Sequence, residues 1–188
     1  MVDLLVENLL YEMLLVTRTN VTPVGVVRRG NSLNFKLFPG KSFRELKVDS
    51  HVAIQATNDP ELLVRTALNL PVELEFEERE PYRWIKGLPG WLGEASCAEE
   101  TWRDEIGETK VLKCSLKPEE EIPGRLPQRP FTRADCLLVE MAVLFTRYLV
   151  SPRKAIRDEI LRLYTTYRRL GGSSESAEYI IGRLDRSQ

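Results

Sequence analysis

The sequence is poor in the residues on which most metal and nucleophilic chemistry depends, with three cysteines and one histidine in 188 residues. Cys97, Cys114 and Cys136 are far apart, odd in number and form no Cys-x-x-Cys pair. That pattern argues against a disulfide framework and a zinc site, and leaves reduced thiols as the simple reading. His51 stands at the start of a strand-like run with no Ser, Cys or carboxylate constellation paired to it, so a structural or surface histidine is preferred and a hydrolytic triad is poorly supported. With so little His and Cys, metal catalysis would rest on carboxylates alone, and no metal is expected. Charge of one sign is also lacking. The 27 Lys and Arg against 28 Asp and Glu leave a formal net charge of -1, with no global field to attract nucleic acid. No run approaches the roughly 20 apolar residues of a membrane span. Met1 to Leu15 is apolar but carries Asp3, Glu7 and Glu12, has no basic n-region and no small-residue cleavage site, and is not read as a signal peptide. The expectation is a cytoplasmic protein with no nucleic-acid or membrane partner.

What is present is enough apolar residue, 43% of the chain, to bury a substantial core. From about Leu10 to Phe76 the pattern is strand-like, with candidates at Tyr11 to Thr17, Gly25 to Arg29, Leu33 to Phe38 and Val52 to Thr57. Asp59 before Pro60 predicts a helix start, and Glu61 to Leu70 a short helix closed by Pro71. Val72 to Glu77 alternates apolar with acidic residues and reads as a strand with one wet face. Trp91 to Ile106 and Thr109 to Leu116 read as a strand pair turning at Gly107-Glu108, with outward charges blunting an edge. The prolines of 118–130 suggest a surface linker. Beyond it the period becomes helical. Thr132 and Asp135 resemble a capping box, Ser151-Pro152 reads as the start of a second helix, Gly171-Gly172 as its end, and Ser173 as the cap of a third. The expected fold is mainly β with α: a β-rich ligand domain at 1–117, a linker at 118–130 and a three-helix domain at 131–188, without internal repeats.

Polar and cationic groups cluster at the ends of the strand runs between Thr17 and Asp59. Thr22 to Gly25 reads as a Thr-Pro-x-Gly turn. The Gly40-Lys41-Ser42-Phe43-Arg44 loop offers an ammonium, a hydroxyl, a guanidinium and accessible backbone amides, all suited to phosphate. It is not a P-loop, because no glycine sits five residues upstream of Gly40; a plain basic hairpin is the simpler alternative. Donors at strand ends suit a ligand with a flat apolar part and a phosphate, such as a flavin nucleotide. Pro81-Tyr82-Arg83-Trp84 places two aromatics and a guanidinium in one loop that could stack on a ring or pack against the helical domain. The acidic runs Glu77 to Glu80 and Glu119 to Glu121 read as solvated edges.

The order of these motifs, a strand, Thr-Pro-Val-Gly, two strands with a Gly-x-Ser loop, a strand and then Asn-Asp-Pro, resembles the flavin-binding split-barrel proteins. Within them it is most similar to an archaeal family of conserved proteins, the domain of unknown function 447. Pro130 to Ala134 and Arg169 to Gly172 are similar to that family's helical tail. The resemblance implies an antiparallel, six-stranded split β-barrel that binds FMN, as a homodimer with flavin near the subunit interface. Carried over by position, Thr22, Pro23, Val24 and Gly25 border the isoalloxazine; Lys41, Ser42 and Arg44 hold the phosphate; and Gln55, Thr57 and Asn58 lie on the adjacent strand end. Ser42 and Glu45 depart from the expected Thr and Asn. A carboxylate facing phosphate repels it, so Glu45 has to point elsewhere. The implied activity is a flavin reductase-like oxidoreductase, with NAD(P)H as electron donor and the flavin performing hydride or electron transfer. The alternatives are a non-enzymatic dimeric module that stores or senses flavin or acts as a scaffold, and phosphate-ester binding without flavin.

Overall fold

The computed structural model describes residues 5–104, 107–126 and 132–185. Two compact units divide the chain, one of Met1–Thr57 with Glu73–Leu126 and one of Asn58–Val72 with Pro127–Gln188. The division differs from the expected boundaries because the first long helix, placed by sequence in the ligand domain, packs with the C-terminal helices. Met1 to Leu4, Ile106, and the part of the expected linker and tail motif at 127–131, Pro130 and Phe131 included, lie outside the described residues.

The first unit contains β1 (Leu10–Val16), β2 (Val21–Arg29), β3 (Ser32–Leu37), α1 (Lys41–Leu46), β4 (His51–Gln55), β5 (Phe76–Arg79), β6 (Tyr82–Ile85), β7 (Gly90–Asp104), β8 (Gly107–Leu116) and β9 (Glu120–Ile122). β1 pairs with β2 and β4, β2 with β3, β3 with β8, β8 with β7, and β7 returns to β4, every pair antiparallel. Six strands therefore close a ring, and β9 adds alongside β7. Alternate residues line its inside: Met13 and Leu15, Val24 and Val26, Leu33, Phe35 and Leu37, Val52 and Ile54, and Leu112, Cys114 and Leu116 share one buried cluster. The period of two along each strand puts them all on one face. Leu14 and Val16 are buried as well, which is why the middle of β1 reads as a continuous apolar run rather than an alternating one.

Several local expectations are corrected. Thr22 to Gly25 is not a turn but the first half of β2, opposite Leu15 to Glu12 of β1. The β2–β3 ladder spans only Val26 to Arg29, so Pro23 interrupts no rung of it. The Gly40 to Arg44 loop is mostly helix, because Phe43 and Leu46 turn into the barrel core from α1. Of the acidic alternating segment only Phe76 and Glu77 are strand, and Tyr82 to Trp84 belong to β6, in a hairpin with β5. The β7–β8 register closes at Asp104 and Gly107, which makes Gly107-Glu108 strand. The expected linker contains β9. That same β7–β8 register sets Cys97 directly opposite Cys114, and the two form a disulfide with Cα atoms 4.1 Å apart. The expectation of reduced thiols therefore fails for this pair, because a hairpin 17 residues around brings together cysteines that look unrelated in sequence.

The second unit contains α2 (Pro60–Ala67), α3 (Arg133–Val150), α4 (Lys154–Arg169) and α5 (Glu175–Asp185). Asp59 caps α2, accepting from the amides of Glu61 at 3.0 Å and Leu62 at 3.3 Å, with Pro60 in the first turn. Thr132 and Asp135 form the expected reciprocal capping box of α3. Val64, Leu138, Met141, Phe145, Ile160, Leu163, Tyr167, Ile180 and Leu184 make one buried cluster. Ser151 ends α3 rather than starting α4, and Ser174 rather than Ser173 caps α5 through a 3.1 Å bond from the Ala177 amide. Gly171, at φ +85°, ends α4, and Gly172 lies so close over the Tyr167 ring that a Cβ would come within 2.3 Å of it. Among the described residues no helix is long and apolar enough to cross a membrane.

Candidate functional site

The turn between β1 and β2, residues 17–20, meets α1. The Lys41 ammonium donates to the Thr19 carbonyl at 3.0 Å, and the Asn20 amide donates to Ser42 Oγ at 2.9 Å. Glu45 faces the same turn. It accepts from Thr17 Oγ1 at 2.6 Å, Thr19 Oγ1 at 2.5 Å and the Thr19 amide at 3.2 Å. Partial burial pushes the Glu45 carboxyl up, but these three bonds and the Lys41 charge outweigh it and hold the group below the ordinary carboxylate range. Glu45 thus points at the β1–β2 turn, where Lys41 is also engaged. Arg44 is exposed and has no side-chain partner among the described residues.

Lys41, Ser42 and Arg44 are accordingly brought together on one short helix, though not with equal access. Ser42 is 3% exposed, so its hydroxyl serves the turn. β2 leaves that same turn, which places Thr22 to Gly25 next in the chain. Val24 is buried in the barrel core, and residues 21–25 have β1 as their sole ladder partner among the described residues. Gln55 ends β4, with its carboxamide committed to the protein. It is fully buried, its Nε2 donating to the carbonyls of Ile85 at 2.9 Å and Leu88 at 2.7 Å and its Oε1 accepting from the Ile85 amide at 2.6 Å. Both amide donors are used, and Gln55 ties the end of β6 to the barrel. Thr57 is half-buried at the end of the barrel segment, and Asn58 begins the helical unit.

One cluster escaped the sequence. His51 Nδ1 donates to Asp49 Oδ1 at 2.7 Å, and its Nε2 lies 3.3 Å from Glu94 Oε1. The Tyr82 ring packs edge-on against it, centroids 5.3 Å apart. Asp49 sits only two residues upstream, but Glu94 and Tyr82 arrive through the β4–β7 register and the β5–β6 hairpin. Burial pushes the Asp49 carboxyl up, yet hydrogen bonds from the His51 amide and ring and the Arg18 charge bring it below its ordinary value. Desolvation, followed by a 2.8 Å hydrogen bond to Glu119, pushes the Tyr82 hydroxyl up to about 12. Tyr82 is therefore a neutral donor that fastens the hairpin. Arg83 stacks over Phe76 at 3.6 Å, which occupies the guanidinium that sequence offered to a ring.

A cavity of about 600 Å³ lies within the helical unit, lined by Asp59, Glu61, Arg65, Asp135, Tyr167 and Gly172 among others. Most of its polar groups are committed locally: Asp59 and Asp135 cap helices, Glu61 Oε1 accepts from Ser176 at 2.5 Å, and Arg65 pairs with Glu175 at 3.2 Å, while Glu61 Oε2 is buried with no hydrogen-bond partner. Among the described residues no group of three or more His, Cys, Asp and Glu side chains is placed to hold a metal ion.

Sequence models of one family match both units. The model described as the N-terminal domain of the protein of unknown function DUF447 covers residues 11–123, and that of DUF447 itself covers residues 132–183. Comparison with curated proteins returns no match. Among solved structures, the FMN-bound protein MM1853 from Methanosarcina mazei, of family-model DUF447, is similar with a TM-score of 0.68 and 19% identity over 95% of each chain. The flavin reductase of the styrene monooxygenase from Pseudomonas putida S12 aligns with a TM-score of 0.34 and 9% identity over 63% of this chain and 93% of its own. The likeness to the first structure shows that this chain shares its fold.

Proposed function

The chain belongs to the DUF447 family, and we propose that it binds FMN at the end of the barrel where the β1–β2 turn meets α1. The observation that carries this reading is the division of charge on α1: Arg44 is exposed without a partner among the described residues, Lys41 is beside it, and the one carboxylate of the helix is drawn into the turn. Lys41 and Arg44 hold the phosphate. The backbone of Thr22, Pro23, Val24 and Gly25, free of β3, borders the flat ring. Ser42 supports the turn, Gln55 fixes the barrel behind it, and Thr57 follows β4 at the end of the barrel segment. A solved structure of the same family contains FMN, which supports the same ligand here.

The bound flavin would supply hydride or electron transfer, so the reading extends to an FMN-dependent oxidoreductase of flavin reductase type that takes electrons from NAD(P)H in the cytoplasm. The chain's own part is to bind and orient the ring. Exposed Val6, Leu9 and Leu10 at the start of β1, with Leu10 against Gly25, support a homodimer that covers this apolar edge. Purified protein titrated with FMN and then with NADPH or NADH tests each layer. A yellow complex bleached by the nucleotide supports the oxidoreductase. A yellow complex that does not bleach assigns flavin storage or sensing instead, and a failure to bind FMN removes the flavin reading.

A further inference from the structure

We infer that Glu45, held by Thr17 and Thr19, is a positioning residue that fixes Lys41 and Arg44 for a ligand phosphate. This rests on the FMN reading. A helix of six residues is marginal on its own, and Gly40 gives α1 no side-chain cap. Two attachments therefore decide where its cations point. One is apolar, with Phe43 and Leu46 in the barrel core. The other is the polar staple of Glu45 to Thr17 and Thr19, joined by the bond from Asn20 to Ser42.

The helical period makes the staple directional. Lys41 and Glu45 are i and i+4, and Lys41 and Arg44 are i and i+3, so all three occupy neighbouring rows. Glu45 already faces Lys41, and a Glu45 side chain free of the turn would be able to close on its ammonium and compete with an incoming phosphate for it. Bound by two threonines, Glu45 instead fixes the rotation of α1, and Lys41 is engaged by the Thr19 carbonyl. The charged group facing Glu45 from its own helix is Lys41. From the turn, the Arg18 guanidinium is directed at Asp49 and Glu80, at 3.9 and 3.5 Å. The carboxylate is thus part of the architecture of a phosphate site although it never touches phosphate.

The test compares FMN with riboflavin, which lacks the phosphate, by fluorescence titration of the full chain and its Glu45→Ala, Thr17→Val and Thr17→Ser variants. Positioning predicts that Glu45→Ala and Thr17→Val weaken FMN about tenfold while riboflavin changes less than about twofold, and that Thr17→Ser, which keeps the hydroxyl, stays near the parent. A carboxylate that merely repels phosphate gives the opposite sign, tighter FMN in Glu45→Ala, and overturns the inference. Equal weakening of both ligands, or no change, overturns it too. If Glu45→Ala does not fold, the Thr17→Val and Thr17→Ser pair decides alone, since it leaves both Thr19 bonds to Glu45 intact. A parent protein that binds FMN while its variants match it rejects only the staple; a parent that binds neither flavin rejects the FMN reading and the inference with it.

Discussion

Glu45 accepts a 2.6 Å hydrogen bond from the hydroxyl of Thr17, 28 residues away in sequence. That bond places the short helix α1 against the first turn of the barrel. The carboxylate stays ionised there, its charge met by the donors of the turn and by Lys41.

Arg44 is the cation of this helix that the fold itself does not use. Arg44→Ala is expected to weaken FMN about tenfold and riboflavin less than about twofold, because a lost charge-assisted bond acts on the phosphate alone. Isothermal titration with both ligands checks it. Equal losses would place Arg44 outside the phosphate grip.

Gln55 ends β4 with its carboxamide fully engaged by the protein. Gln55→Leu keeps the volume but leaves the Ile85 amide and the Ile85 and Leu88 carbonyls without their partner. At about 1–3 kcal/mol for each buried group left unsatisfied, unfolding in urea is expected to show a loss of about 3 kcal/mol or more. A loss below about 0.5 kcal/mol would contradict the structural role assigned to the carboxamide.

Acid is expected to loosen the turn. The folded carboxyls of Glu45 and Asp49 lie below their ordinary values of 4.5 and 3.8, so each contributes stability that is fully present above those values and is lost as pH falls through the lower folded ones. Urea midpoints measured from about pH 6 to pH 3 should decline in the lower part of that range. Glu45→Gln should have a lower plateau and a shallower decline. An identical acid limb in parent and variant would contradict the account of Glu45.

Thiol counting tests the β7–β8 register. Of the three cysteines, Cys97 and Cys114 are joined and Cys136 is free. Protein unfolded without reductant should therefore react with thiol reagent at one site per chain, and after reduction at three. Three reactive thiols before reduction would contradict the pairing.

Much of the architecture is legible in the sequence where local chemistry and tertiary packing agree. The apolar alternation of β3, the Asp59-Pro60 start of α2 and the Thr132/Asp135 box of α3 are all visible without coordinates. What is hidden depends on register or on a few contacts. Pro23 and Gly25 read as turn residues, but a strand tolerates them where its second neighbour is missing. α1 is too short to display a period and is helical because two of its residues reach the core. Cys97 with Cys114, and His51 with Glu94, meet only through strand pairing. At the site, the basic character of Lys41 and Arg44 was readable, whereas the burial of Ser42 and the destination of Glu45 were set by a turn more than 20 residues upstream.

Titrating the purified, flavin-free protein with FMN, followed by flavin fluorescence, tests the central claim most directly. The account predicts saturable binding of one FMN per chain in the micromolar range or tighter. A protein whose addition leaves FMN fluorescence unchanged up to about millimolar concentration would contradict it.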